Sequence, residues 1–402
     1  MKSNRILIVT NRIPFPKNDG GTIAMYAMIE SYVQLNWEVT VLSMNTSRHF
    51  VDIDTLPAFF KQFRFETFDI NTDIRLVPTL RNFLLSKKPN HVERFFDEAF
   101  ARKLQNLIEN IEPNVVQFES IYLATYIPDI RKYSSTKVVL RLHNVEYQIW
   151  ERLANEASPL RRLYLKDLCN RIKRFEVQAW NEADYLLAIT SADQEVVRQH
   201  VLPHKVAIVP IGISFESIQQ QLTKERWVGY HIGAMDWLPN SEAISWFLDE
   251  VWPLLHKTIP TFEFYFAGRN MPGSFEKFEQ NGVTCAGEVS DAMDFISDKK
   301  ILIVPLRSGG GIRVKILEAM AAGKIVISTS VGMQGIEAVN PEQHYLLANT
   351  PEEFVHQIEW VLSHQPEAEM LARQGASMIK KHYSVEAVND LLDLSIETCL
   401  LS

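Results

Sequence analysis

The sequence predicts an α/β protein of two doubly wound, Rossmann-like parallel-sheet domains. Three observations carry this prediction. Short apolar runs alternate with longer helical stretches through both halves of the chain. The chain has 402 residues, too many for one compact core, so two domains are expected. In each half a glycine loop follows an apolar strand and opens a helix: Gly20 and Gly21 in the first, Gly309, Gly310 and Gly311 in the second. Ligands bind at such carboxyl edges in open α/β sheets.

The first domain is expected over residues 1–212. Residues 5–10 (RILIVT) read as a buried strand rather than a secretion signal. The loop 11–21 ends in Gly20 and Gly21, which leave free N–H groups at the start of a helix over 23–35. A second strand is expected at 39–43. Residues 48–103 lack clear periodicity and mix basic residues with Phe59, Phe60, Phe63, Phe65, Phe83, Phe95, Phe96 and Phe100. Strands follow at 115–118 and 138–142, with a helix over 122–132 interrupted by Pro128. His143 comes directly after the second of these strands, so it faces the ligand edge or caps the next helix. Residues 150–182 read as one helical region with Arg161, Arg162, Lys166, Arg171, Lys173 and Arg174. Such a basic face suits solvent or an anionic membrane surface. A strand at 183–189, an N-cap at Thr190 and a last strand at 205–209 complete the domain.

Residues 214–226 read as a linker, the second domain is expected over 213–382, and a final helix over 383–402. Strands are expected at 227–232, 262–266, 283–285, 300–304 and 325–328. A helix over 241–255 follows the first of them. Gly233 and Arg269 come just after the first two strands. Gly323 is placed to end a helix in the left-handed conformation.

Composition excludes some functions. Hydrophobic residues make up 46% and charged residues 22%, a globular profile. The net charge of −8 argues against a nucleic-acid partner. Cys169, Cys285 and Cys399 lack metal-ligand spacing and suit a reducing compartment. No apolar run reaches about 18 residues, so a cytoplasmic protein is expected, with contact to the inner face of a membrane left open.

Residues 305–323 (PLRSGGGIRVKILEAMAAG) hold the most chemistry. Three glycines let backbone N–H groups approach an anion at a helix start, and Arg313 and Lys315 stand beside it. Glu318 lies one turn on, where a carboxylate would accept ribose hydroxyls. A diphosphate held this way suits a nucleotide-sugar. Fixed cations then stabilise the charge that grows on the departing diphosphate. No Asp-x-Asp pair stands nearby, so no metal is expected.

This stretch, followed by residues 325–330 (IVISTS), resembles the donor-site signature of the GT-B retaining glycosyltransferases of family 4. Residues 233–240 (GAMDWLPN) and 141–146 (RLHNVE) resemble a bacterial surface-polysaccharide subgroup. The resemblance implies an acceptor-binding first domain and a donor-binding second domain facing a cleft, with the last helix crossing back. It implies transfer of sugar from a UDP- or GDP-sugar to a glycan or lipid-linked hydroxyl with retention, without cofactor. Arg313 and Lys315 then contact the diphosphate, Glu318 the ribose, and His143 the donor sugar. Gly20 and Gly21 approach phosphate and acceptor. Gly233, Arg269, Ser308, Gly309, Gly310, Gly311 and Ile312 complete the donor set. One position departs: the first acid of the family's Glu-x7-Glu pair is Gly310 here. Backbone N–H groups of the loop or Ser308 would take its place, and no protein nucleophile is evident. That favours same-face substitution assisted by the leaving diphosphate. A non-hydrolysing nucleotide-sugar 2-epimerase shares the architecture but needs more acid/base side chains. A non-catalytic glycan-assembly subunit fits Gly310 but not the retained Arg313, Lys315 and Glu318.

Overall fold

A computed structural model of the chain describes residues 4–73, 89–219, 225–279 and 281–402. The chain forms two units: Met1–Ile211 with Val388–Ser402, and Gly212–Ala387. Each contains one parallel sheet.

The first sheet comprises β1 (Arg5–Thr10), β2 (Glu38–Thr46), β3 (Arg64–Ile70), β4 (Val115–Phe118), β5 (Lys137–Leu142), β6 (Tyr185–Ala188) and β7 (Val206–Ile208), in the order β3-β2-β1-β4-β5-β6-β7. The order reverses between β1 and β4, and the carboxyl ends there form the switch-point edge. Helices cover both faces, so the central strands are mainly apolar rather than alternating, with Gln117 of β4 and Arg141 of β5 as buried exceptions. Leu7, Val9, Phe118, Leu140 and Trp180 pack on one side. Ile6, Ile8, Val41, Val139 and Leu187 pack on the other, joined by Val388, Leu392, Ile396 and Cys399 of the last helix, Val385–Leu401. Those four recur at helical spacing, and Asn389 Nδ2 donates to Gln34 Oε1 at 2.9 Å.

Three expectations for this unit need correction. The weakly patterned stretch contains β3, which pairs in parallel with β2 from Thr40↔Arg64 to Thr46↔Ile70. As an edge strand it buries only part of its surface, so its sequence lacks the apolar run of a central strand. Its aromatics are largely packing groups: Tyr26 and Phe59 lie 4.6 Å apart by ring centroids, Phe60 and Phe65 5.0 Å. Phe83, with the rest of 74–88, lies outside the described residues. The region 150–182 is two helices, Glu146–Glu156 and Pro159–Glu182, because Pro159 cannot sit inside a helix but fits its first turn. Similarly, Pro128 does not interrupt a helix. It lies in the first turn of Ile127–Tyr133, after the 3-10 segment Ile121–Tyr126.

The second sheet comprises β8 (Arg226–Ile232), β9 (Phe264–Ala267), β10 (Val283–Gly287), β11 (Lys299–Val304), β12 (Ile325–Ser328) and β13 (Leu346–Leu347), in the order β10-β9-β8-β11-β12-β13. Its switch point lies between β8 and β11. The helix after β8 begins at Leu238, with Pro239 in its first turn, and passes through one π turn, Phe247–Val251, into Trp252–Thr258. Gly323 has φ +68° and closes the helix Val314–Ala321. Among the described residues, no helix is long and apolar enough to cross a membrane.

Candidate functional site

In the second unit the loops after β8 and β11 leave the sheet at its switch point. Gly309 and Gly311 have φ +111° and +77°, a backbone region that L side chains avoid. A Cβ at Gly309 would also stand 2.9 Å from Trp237 Cη2. Gly310 sits between them, and its carbonyl accepts from Arg313 Nη1, as does that of Gly311 at 2.5 Å. Arg313 is almost fully buried, its Cζ 5.2 Å from the Trp237 ring centroid. It is also the N-cap residue of Val314–Ala321. Loop, cation and helix start are therefore one packed piece.

Lys315 is anchored from the other side. Its Nζ donates to His231 Nε2 at 3.0 Å, the Ile232 carbonyl at 2.9 Å and Asn240 Oδ1 at 3.0 Å. His231 is fully buried, and its Nδ1 lies 2.8 Å from the Ile303 carbonyl. A carbonyl only accepts, so Nδ1 carries the proton and Nε2 presents a lone pair to the lysine. Burial, then the Lys315 charge, holds His231 well below the usual histidine range, in keeping with a neutral ring. Burial and the Arg313 cation pull Lys315 down to about 7. Gly233 makes room for this arrangement: a Cβ there would lie 2.5 Å from Asn240 Nδ2 and 3.0 Å from Lys315 Nζ.

The remaining predicted residues surround this cluster. Ser308 Oγ lies 3.4 Å from Glu242 Oε2. Ile312 is half-buried, as is Glu318, one turn beyond Val314. Arg269 pairs loosely with Asp236 at 3.7 Å, and its carbonyl accepts from Met235 N at 2.8 Å. Sequence reasoning did not single out His231. Its position in β8, two residues before Gly233, was the available signal.

The first unit is arranged differently from expectation at Gly20 and Gly21. Gly20 opens the helix Gly20–Gln34, but its N-cap is Asp19, whose Oδ1 accepts from Gly21 N and Thr22 N at 3.0 Å each. Two of the N–H groups read as free are thus taken by the carboxylate, a preferred N-cap group. Asp19 is paired in turn with Arg12 at 2.5 Å. His143 follows β5, and its Nε2 lies 3.1 Å from Glu119 Oε2. Glu119 is buried just after β4, bonded by Gln117 Nε2 at 2.5 Å and 3.8 Å from Arg141 Nε. Tyr32 donates to Gln117 Oε1 at 2.6 Å, extending the chain of bonds. The helix after His143 is capped by Glu176 instead, which accepts from Glu146 N at 2.9 Å and Tyr147 N at 2.7 Å. Burial pushes Glu176 up to about 8.

Gly21 and His143 line one cavity of about 410 Å³, with Arg12, Arg48, Arg94 and Glu119. It opens at the carboxyl ends of β1, β2, β4 and β5. Among the described residues no group of three or more His, Cys, Asp or Glu could hold a metal ion.

Several known proteins resemble the chain. An uncharacterized 44.6 kDa protein of the cps region of Klebsiella pneumoniae is 21% identical over 357 residues, 84% of this chain and 86% of that one. Sucrose-phosphate synthase from Thermosynechococcus elongatus matches in structure with a TM-score of 0.70 at 16% identity, covering 99% of this chain and 100% of its own. Anabaena HepE in complex with UDP-glucose matches with a TM-score of 0.65 at 14% identity, covering 98% and 99%. The two structural neighbours are GT-B glycosyltransferases. Residues 18–217 match the family described as Glycosyltransferase Family 4, and residues 227–364 match Glycosyl transferases group 1. The chain thus has the GT-B fold, its first part similar to Glycosyltransferase Family 4 domains and its second to Glycosyl transferases group 1 domains.

Proposed function

We propose that the protein is a metal-independent, retaining glycosyltransferase of polysaccharide or surface-glycan biosynthesis. It moves a sugar from a UDP- or GDP-sugar to a glycan or lipid-linked hydroxyl. One observation carries the reading: Arg313 and Lys315 are both held in place beside a glycine loop and a helix start. That is an electrostatic cradle fixed before any ligand arrives. Two similarities support it: HepE is described in complex with UDP-glucose, and the Klebsiella relative is described by its cps region.

The second unit takes the donor. Arg313 and Lys315 stabilise the charge that develops on the diphosphate as the glycosidic bond breaks, and they need no reorganisation to do so. Glu318 accepts the ribose hydroxyls. Gly310 brings a carbonyl already bonded to Arg313 where the family has a sugar-reading acid, so no protein carboxylate attacks the anomeric carbon. The departing diphosphate takes the acceptor proton on the same face. The first unit takes the acceptor, with His143 held by Glu119 to meet the sugar.

The basic helix Pro159–Glu182 of the first unit, with the end of the helix before it, gives a membrane reading. Leu163 is 71% exposed and Leu153 40%, beside the exposed Arg161, Arg162 and Lys166. Apolar side chains among cations suit an anionic lipid surface. The protein then works at the cytoplasmic face of a membrane.

Arg313→Ala and Lys315→Ala are each expected to lower sugar transfer by ~100-fold or more, measured on the folded fraction of each variant. Near wild-type turnover in both would remove the diphosphate assignment. In Glu318→Ala, UDP should bind at least ~10-fold more weakly in calorimetry, the loss of charge-assisted hydrogen bonds. An unchanged isotherm would rule out the ribose contact.

Donor binding should depend on pH with a definite sign. Lys315 titrates at about 7 in the free protein, and a diphosphate binds its charged form. Affinity for UDP is therefore full below that value and falls by about tenfold per pH unit above it, until the raised value of the complex is passed. Lys315→Met should lack this slope, and a wild type equally lacking it refutes the charge role. For the membrane, sedimentation with vesicles should show binding only when anionic lipid is present, reduced in Leu163→Ser. Equal recovery with neutral and anionic vesicles would exclude the basic face as the cause.

A further inference from the structure

The cavity of the first unit carries more positive charge than a neutral acceptor requires. Arg48 stands in the 3-10 turn Ser47–His49 after β2, Arg94 directly after the helix Asn90–Glu93, and both line the cavity with Arg12. Arg12 is paired with Asp19. Among the described residues, neither Arg48 nor Arg94 has a carboxylate partner. Arg94 Nη1 donates to the Thr72 carbonyl at 3.1 Å, while its buried Nε has no hydrogen-bond partner among the described residues.

The acids lining the cavity do not serve these arginines. Glu119 is engaged by Arg141, His143 and Gln117. Glu146 is pushed towards its neutral form by burial, against the hydrogen bond from Tyr122. Burial pulls Arg94 down, the Tyr122 phenol opposes this, and the Arg48 cation adds to it. Arg94, half-buried, and Arg48, exposed, thus line one hollow in which, among the described residues, neither guanidinium has a carboxylate partner. Burial and the neighbouring Arg48 cation both disfavour the charge on Arg94 until an anion enters. Two planar forks match the several oxygens of a phosphate, whereas a single carboxylate satisfies only one of them.

We infer that Arg48 and Arg94 form a phosphate-binding subsite, which receives a phosphate or diphosphate group carried by the acceptor. This rests on the first unit being the acceptor-binding one. Arg94 supplies a fork set by Thr72, and Arg48, exposed after β2, closes on the anion from solvent. The sugar hydroxyl that reacts then lies on the same molecule, placed by its phosphate.

The test is calorimetry on the full chain with inorganic pyrophosphate, in excess UDP so that the anion site of the second unit is filled. Pyrophosphate should bind, and about tenfold or more weakly in Arg48→Gln and in Arg94→Gln. Arg48 is exposed, so its variant decides the matter even if the Arg94 variant fails to fold. A soluble hexose 1-phosphate and a polyprenyl diphosphate in neutral phosphatidylcholine vesicles are then compared as competitors. Competition by either supports the subsite and identifies the carrier. No binding of pyrophosphate, or equal binding by wild type and both variants, overturns it. The UDP isotherm of the wild type is recorded first and reports on the donor reading separately. UDP binding without pyrophosphate binding removes the subsite alone. Pyrophosphate binding that falls in Arg48→Gln, without UDP binding, keeps the subsite and removes the donor reading.

Discussion

The second unit depends on one ammonium group. Lys315 Nζ sits among three acceptors contributed by β8 and the helix that follows it, and through His231 it reaches the Ile303 carbonyl of β11. Those two strands flank the switch point. The lysine ties them to the start of the helix Val314–Ala321, which the glycine loop leads into. A charge withdrawn from water is costly unless each of its protons is accepted. Here three are, so an expensive group becomes a fastener. Gly233 fits this scheme because a side chain there would collide with the Asn240 amide and crowd the lysine.

The first unit solves the same problem with the opposite sign. Glu119 is a fully buried carboxylate at the end of β4, engaged by Gln117, His143 and Arg141. It fixes the imidazole that lines the cavity, and Tyr32 fixes Gln117 in turn. Each unit thus places one buried charge at the edge where its sheet reverses, and each charge orients a neighbour. The charges differ because the partners do: Lys315 meets acceptors in one unit, and Glu119 meets the Gln117 amide, the Arg141 guanidinium and an imidazole in the other.

Much of this was legible in the sequence. The buried parallel strands announce themselves as unbroken apolar runs, as in residues 5–10 and 300–304. The paired Arg313 and Lys315 stand out because two cations so close to three glycines have little structural reason to be there. Other features were hidden for identifiable reasons. β3 is half-exposed, so Arg64, Glu66 and Asp69 mask its phenylalanines. Asp19 reads as one more polar loop residue until its carboxylate is seen on the helix start. His231 lies within a strand's apolar run, and nothing local reveals that its ring faces a lysine from a helix far along the chain. Arg48 and Arg94 are 46 residues apart, and only the parallel order of β2, β1 and β4 brings them to one hollow.

Arg313 has a further consequence, one of entropy. Free arginine side chains lose up to about 2 kcal/mol of rotamer freedom when a ligand immobilises them. Here the Gly310 and Gly311 carbonyls and the Trp237 ring already restrict the guanidinium. That loss is taken when the chain folds and not again at each encounter. On the proposed donor reading, the loop's peptide groups therefore set how tightly an anion is held as much as the charge does. Loosening one glycine would weaken binding without removing a single cation.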